Sequence, residues 1–136
     1  GRVVPNFITQ ALRGEPLTVY GDGSQTRSFC YVADLVEGLQ RAMFTTGTRG
    51  QVINLGNPGE FTVRELANLV VRVTGSSSEG RSVAARPEEI AQRRPDISKA
   101  ARLLGWEPEV PLEAGLRRTA AWLGEELGLR VPALER

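Results

Sequence analysis

The run Tyr20-Gly21-Asp22-Gly23-Ser24-Gln25-Thr26-Arg27 puts an aromatic ring, a tight polar turn and a guanidinium in one short stretch. A strand ending in Tyr20 and a second strand opening near Arg27 would let the ring stack on a nucleobase while the guanidinium forks onto a phosphate. The same residues also suit a plain Gly-Asp-Gly hairpin turn with Arg27 as a solvated charge. Asn54 stands before Gly56-Asn57-Pro58-Gly59, at the end of a short apolar run. The carboxyl ends of strands are where open α/β sheets take ligands, so its amide suits a phosphate oxygen; it equally suits its own turn. Arg86, Arg93 and Arg94 share one connection with Pro87 and Pro95. Each could reach an anion or simply face water.

The remaining polar residues offer less. Glu88 and Glu89, like Glu125 and Glu126, are adjacent in sequence and therefore diverge on a helix or strand. Neither pair makes a general acid/base couple or a metal cage. Cys30 lies in an apolar stretch and reads as a packed small hydrophobe. The 136 residues contain no histidine, which removes Ser-His-Asp and Cys-His nucleophile pairs and every histidine-containing zinc site. Chemistry would rest on Lys, Tyr, Arg and carboxylates, and no catalytic constellation of these emerges.

Composition bounds the rest. Lys and Arg number 17 against 16 Asp and Glu, with 40% hydrophobic residues, which is globular composition for at most one ordinary domain. A net charge of +1 gives no footprint for nucleic acid or anionic membrane. No apolar run approaches the roughly 20 residues that span a bilayer. Residues 1–12 lack a signal-peptide core, and the chain does not open on methionine. A single cysteine excludes an internal disulfide and fits a reducing, cytoplasmic setting. The expectation is a cytoplasmic protein of which this chain is one portion.

These residues need elements to hold them. Val3/Phe7/Ala11 and Val4/Ile8/Leu12 form two helical rows, with Pro5 in the first turn and Gly14 as the stop. Residues 17–20 predict a strand, and residues 27–32 a second extended segment. Asp34 is expected to cap a helix that turns Leu35, Leu39, Ala42 and Met43 toward the core. Residues 45–50 form a loop, and residues 52–55 predict a further strand. Thr62 and Glu65 make a capping box for a helix carrying Leu66, Leu69, Val70 and Val73, closed near Gly75. Residues 81–85 suit a short strand, and residues 86–95 a charged connection. Asp96 starts a short helix closed by Gly105, and Pro111 opens a last one with Leu112, Leu116, Ala120, Leu123 and Leu127 on one face. Strands alternating with helices mean α/β. So few short strands make a poor independent sheet, so the core is expected to be incomplete.

Longer spellings carry a resemblance. Gly1-Arg2-Val3-Val4-Pro5-Asn6-Phe7-Ile8, Gly14-Glu15-Pro16-Leu17-Thr18-Val19-Tyr20-Gly21, and Gly23-Ser24-Gln25-Thr26-Arg27-Ser28-Phe29 with Tyr31-Val32 and Asp34-Leu35 resemble the C-terminal part of the UDP-glucuronate decarboxylases. So do Asn54-Leu55-Gly56-Asn57-Pro58, Arg93-Arg94-Pro95-Asp96-Ile97-Ser98-Lys99-Ala100 and Leu104-Gly105-Trp106-Glu107-Pro108. These UDP-xylose-forming enzymes are extended short-chain dehydrogenase/reductases of the NAD-dependent epimerase/dehydratase type. The likeness runs from Gly1 to about Leu123. It implies an α/β, Rossmann-type fold of which residues 1–136 are the nucleotide-sugar-binding C-terminal region, without the N-terminal dinucleotide-binding half.

The resemblance also implies a reaction: NAD oxidises C4 of UDP-glucuronate, the resulting β-keto acid loses carbon dioxide, and the bound NADH returns hydride to give UDP-xylose. By the same resemblance Tyr20 packs on uracil, Arg27 and Asn54 hold the pyrophosphate, and Asn6 joins the substrate-binding set. Arg93 or Arg86 closes over the phosphates. The decarboxylases usually carry Asp-Asp-Pro ahead of the arginine pair, where this chain has Glu88-Glu89-Ile90. Arg86-Pro87 is instead closer to the Arg-Pro of epimerases and dehydratases. The alternatives are therefore the same region of a nucleotide-sugar epimerase or dTDP-glucose 4,6-dehydratase, or a non-catalytic nucleotide-sugar-binding module. The glycine-rich fingerprint and the Tyr-x-x-x-Lys pair of the family are absent here; Tyr20 is followed four residues on by Ser24, and Tyr31 by Leu35. NAD would be bound mainly by the N-terminal half, no catalytic residue is expected in this chain, and the chain alone should not turn over. The UDP-sugar is the expected partner, and the full-length enzyme a homodimer.

Overall fold

The rows of small and branched apolar residues at the start of the chain wind into a helix, α1, over Val3–Leu12 in the computed structural model, which describes residues 2–85, 87 and 90–134. Phe7, Ile8 and Ala11 are its buried face, and Gly14 follows at φ 69°. Strand β1 (Leu17–Tyr20) then leads through a turn into β2 (Thr26–Ser28), and α2 covers Val32–Phe44. After a long loop come β3 (Glu60–Thr62), α3 (Val63–Thr74), β4 (Gly80–Val83) and β5 (Gln92–Arg93). Helices α4 (Ser98–Leu104) and α5 (Leu112–Leu127) complete the order, with a short 3-10 turn at Pro132–Leu134.

The strands form two small sheets. β1 lies parallel to β4, with Tyr20 opposite Val83. β2 sits between β3, antiparallel, and β5, parallel. The main core fills the space among α1, α3, α5 and β1, where Phe7, Ile8, Leu17, Leu66, Val70, Val73, Leu116 and Ala120 are shut from solvent. Each of the larger side chains among them contributes about 1.5–3 kcal/mol by leaving water. α3 is the most completely specified element. Thr62 and Glu65 exchange both capping-box bonds, and Gly75 closes the helix in the left-handed region at φ 70°. A second cluster surrounds Trp106 with Ala100 and Leu104, and Cys30, Ile53 and Leu55 pack on it.

The α/β class, α1, β1, α3, β4, α4 and α5 stand as expected. Other expectations do not, or do so only in part. Residues 52–55 join no ladder among the described residues. Their alternation survives, with Ile53 and Leu55 turned to the Trp106 cluster and Val52 and Asn54 exposed, but the Val52 carbonyl accepts from Lys99 Nζ at 3.1 Å instead of from a neighbouring strand. The extended segment after Arg27 ends at Ser28, and α2 already begins at Val32 with Tyr31 as its N-cap. Asp34 therefore sits inside the first turn, buried, and its carboxylate accepts from the N–H groups of Glu109 (3.1 Å) and Val110 (2.9 Å) rather than from its own helix. α2 meets its expected core row only in part: Ala42 packs on the Trp106 cluster and Leu35 is half-buried. Gly38, whose missing Cβ leaves room for Trp106 and Leu55, faces inward, whereas Leu39 and Met43 are 51% and 74% exposed. Finally, β3 and β5 lie where no strand is expected, because strands of two or three residues carry no periodicity to detect.

Candidate functional site

β1 and β2 run alongside β4 and β5 in the same pairing sense, and this arrangement brings the candidate residues together. Tyr20 ends β1 opposite Val83, and Gly21 N–H donates to the Val83 carbonyl at 2.9 Å. The two segments part here, residues 21–25 leaving β1 as a turn. They rejoin where Thr26 N–H donates to the Ala91 carbonyl at 2.9 Å. Immediately beyond, Arg27 stands in register with Arg93. Paired residues on neighbouring strands project from the same face about 5 Å apart. Two guanidinium stems are thus set side by side, a few residues from a half-buried tyrosine.

The turn that joins Tyr20 to Arg27 is held from several directions. Asp22 Oδ1 accepts from Ser24 N–H (2.9 Å) and Oγ (2.7 Å), and those bonds hold its carboxyl below the usual carboxylate range. Arg64 Nε donates to the Asp22 carbonyl at 3.1 Å, and Gln25 Nε2 donates to the Tyr20 carbonyl at 3.0 Å. Gly23 is required by geometry: its φ is 76°, and a Cβ there would stand 2.9 Å from Val19 Cγ1.

Arg27 Nη1 donates to the Thr26 and Ile90 carbonyls, both at 2.7 Å, which ties Ile90 to β2. Like charges in register on adjacent strands disfavour pairing. Here the pairing is supported by Glu60 on β3. Its Oε1 accepts from Thr26 Oγ1 (3.0 Å) and from Gln92 Nε2 (2.6 Å), and Oε2 lies 3.8 Å from Arg94 Nη1. The Gln92 and Thr26 bonds, with the Arg94 charge behind them, hold the Glu60 carboxyl below its ordinary value. A sulfate- or phosphate-like group between Arg27 and Arg93 would turn their mutual repulsion into a shared attraction.

The other candidates are placed less closely. Asn54 is exposed in the loop that precedes β3. The loop touches the arginine segment at Gly56, where a Cβ would stand 2.9 Å from Pro95 Cγ. Pro58, Arg94, Pro95 and Ser98 then line a hollow of about 330 Å³. Asn6 is exposed on α1, an element that packs on α3, α5 and β1 rather than on the Arg27 sheet. Arg86, Glu88 and Glu89 lie outside the described residues. Glu60, Gln92 and Arg64 escaped the sequence reading: each acts across strands or turns far apart in the chain, and no local spacing announces such a contact.

A second hollow, about 280 Å³, is walled by Phe29, Cys30, Tyr31, Leu112 and Leu116 and also touches Ser28, whose Oγ is buried with no hydrogen-bond partner. None of its lining residues is charged, so it does not suit a diphosphate. Burial, and after it the Asp34 charge, push the Cys30 thiol up, which fits a packed hydrophobe rather than a nucleophile.

The glycine-rich turn Gly21–Gly23 does not fit a dinucleotide cofactor. The Gly21–Gly23 turn opens into β2 rather than into a helix N-terminus that could take a pyrophosphate, and Gly23 is filled against Val19 and Arg64.

Comparison with known proteins agrees with this architecture. The model of the family described as GDP-mannose 4,6 dehydratase matches residues 1–119. UDP-glucuronic acid decarboxylase 6 of Arabidopsis thaliana is 57% identical over 116 residues, which are 85% of this chain and 33% of that protein. An epimerase structure from Methanothermobacter thermautotrophicus superposes with a TM-score of 0.89 at 34% identity, over 94% of this chain and 38% of that one. The UDP-glucuronic acid 4-epimerase of Bacillus cereus, solved with UDP-glucuronic acid and NAD, gives 0.86 at 32% identity, over 92% of this chain and 40% of that one. The chain spans about a third of the length of the curated relative it matches.

Proposed function

Because the chain belongs to the GDP-mannose 4,6 dehydratase family, we propose that it is the nucleotide-sugar-binding region of a UDP-glucuronate decarboxylase. The observation that carries this reading is the register of Arg27 with Arg93 across β2 and β5, one short turn from Tyr20. Two forked cations on one face suit the paired charges of a diphosphate. The ring at the end of β1 suits the base of the same ligand, and Asn54 and Asn6 are secondary binders. Arg93 takes the role for which Arg86 is the sequence alternative. The 57% identity to a decarboxylase, against 32% to the UDP-glucuronic acid 4-epimerase, favours the decarboxylase over the epimerase branch.

In this reading the whole protein removes the carboxyl group of UDP-glucuronate, with NAD supplying the transient oxidation when bound. This chain's residues contribute binding and orientation alone: they hold the diphosphate and the base so that the sugar is presented at a fixed distance from both. No proton or hydride step is assigned to them, and the chain by itself is inactive. The whole enzyme acts as a homodimer in the cytoplasm.

The test is a calorimetric titration with UDP, dTDP and free glucuronate. Saturable binding of UDP over dTDP, with no uptake of free glucuronate, is expected. Arg27→Ala should weaken UDP binding by about 1.5–3 kcal/mol, the scale of a charge-assisted hydrogen bond. Equal affinity of a folded Arg27→Ala chain and the unaltered one would remove Arg27 from the site, and turnover of UDP-glucuronate by the isolated chain would contradict its purely binding role.

A further inference from the structure

β5 is only Gln92–Arg93, yet it carries one arginine into register with another. Such a short strand has little ladder to hold it, and the charge repulsion between Arg27 and Arg93 acts to lift it away. What opposes that repulsion comes from the far side of the sheet. Glu60 belongs to β3, whose ladder is with β2, yet its carboxylate reaches past Thr26 (3.0 Å) to the side chain of Gln92 (2.6 Å) on β5 and sits 3.8 Å from Arg94. One side chain thus ties all three strands, and its partners on the last strand, Gln92 and Arg94, flank Arg93 on both sides.

We propose that Glu60 is a positioning residue for diphosphate binding: it clasps β5 against β2 and thereby fixes Arg93 beside Arg27 at the spacing a diphosphate needs. This rests on the nucleotide-diphosphate reading given above. Glu60 itself is an anion and would repel the ligand on contact, so its contribution passes through the strand that bears Arg93.

The experiment compares UDP and uridine binding to the full chain and its variants, each checked for folding by its thermal transition. Glu60→Ala is expected to weaken UDP about tenfold, the size of one lost charge-assisted contact, and to leave uridine, which has no phosphate, unchanged. In the Arg93→Ala background the same substitution should cost nothing further, since its effect runs through Arg93. Glu60→Gln keeps an acceptor for Thr26 and Gln92 and should recover part of the loss. Equal weakening of UDP and uridine, or full additivity with Arg93→Ala, overturns the inference. If Arg27→Ala and Arg93→Ala weaken UDP but Glu60→Ala does not, the clasp alone is wrong. If the two arginine variants bind UDP like the unaltered chain, the diphosphate reading falls, and the clasp with it.

Discussion

Glu60 illustrates how a single carboxylate acquires a measurable signature from its surroundings. Bonds from Gln92 and Thr26, and behind them the Arg94 charge, lower its titration from the ordinary value of 4.5. A group depressed in the folded state adds stability that is complete above its unfolded value and is lost as pH falls through the folded one. The hold on β5 should therefore be constant above about pH 5 and weaken only in more acidic solution. A carboxyl-detected NMR titration should place the Glu60 midpoint below 4.5, and Gln92→Ala should return it toward that figure. A midpoint at or above 4.5 would show that the bonds from Gln92 and Thr26 do not persist in solution. At this scale the sequence is a partial guide. Tyr20, Arg27 and Arg93 could be picked out because their types match a base and a diphosphate. Glu60 could not, because its partners at Thr26 and Gln92 are distant in the chain and a Gly-Glu ahead of a helix cap looks like any turn.

Among the elements, legibility follows how local the deciding interactions are. α3 was readable from end to end: the cap, the apolar rows and the left-handed glycine are all settled within the helix itself. α2 was readable as a helix but only in part in its facing, since Ala42 packs inward while Leu39 and Met43 do not. Its inward side is chosen by Gly38 against Trp106 and by Asp34 meeting Glu109 and Val110, contacts made by a segment some seventy positions later. Residues 52–55 keep the alternation of a strand without a ladder, since pairing depends on a neighbour and not on the run's own composition. The capping box gives the element-scale prediction. Thr62→Ala removes the acceptor for Glu65 N–H, at 3.0 Å, and should lower the stability of the chain by about 1 kcal/mol in urea unfolding. Because α3 packs on α1, α5 and β1, the loss should appear in the global transition rather than as local fraying; a local effect alone would show that α3 is not part of the cooperative unit.

For the molecule as a whole, the telling feature is apolar surface left in water. Val32, Val36, Leu39 and Met43 recur at helical spacing along one side of α2 and are all exposed, as is Val52 at 81%. A continuous stripe of this kind promotes association. The chain should therefore form concentration-dependent oligomers in analytical ultracentrifugation, and Leu39→Glu with Met43→Lys should shift it to monomer without lowering its thermal midpoint. A monomer at every concentration would show that the stripe is not sticky enough to act. The paired descent of β1–β2 and β4–β5 has a different consequence, one for engineering. The Val83 carbonyl accepts from Gly21 N–H at the end of β4, and the Ala91 carbonyl accepts from Thr26 N–H just before β5. Any exchange of sequence between relatives in this stretch must therefore keep Val83, Ile90 and Ala91, whose carbonyls are the acceptors for Gly21, Arg27 and Thr26. A reporter grafted between Ala85 and Ile90 keeps those three acceptors in the chain.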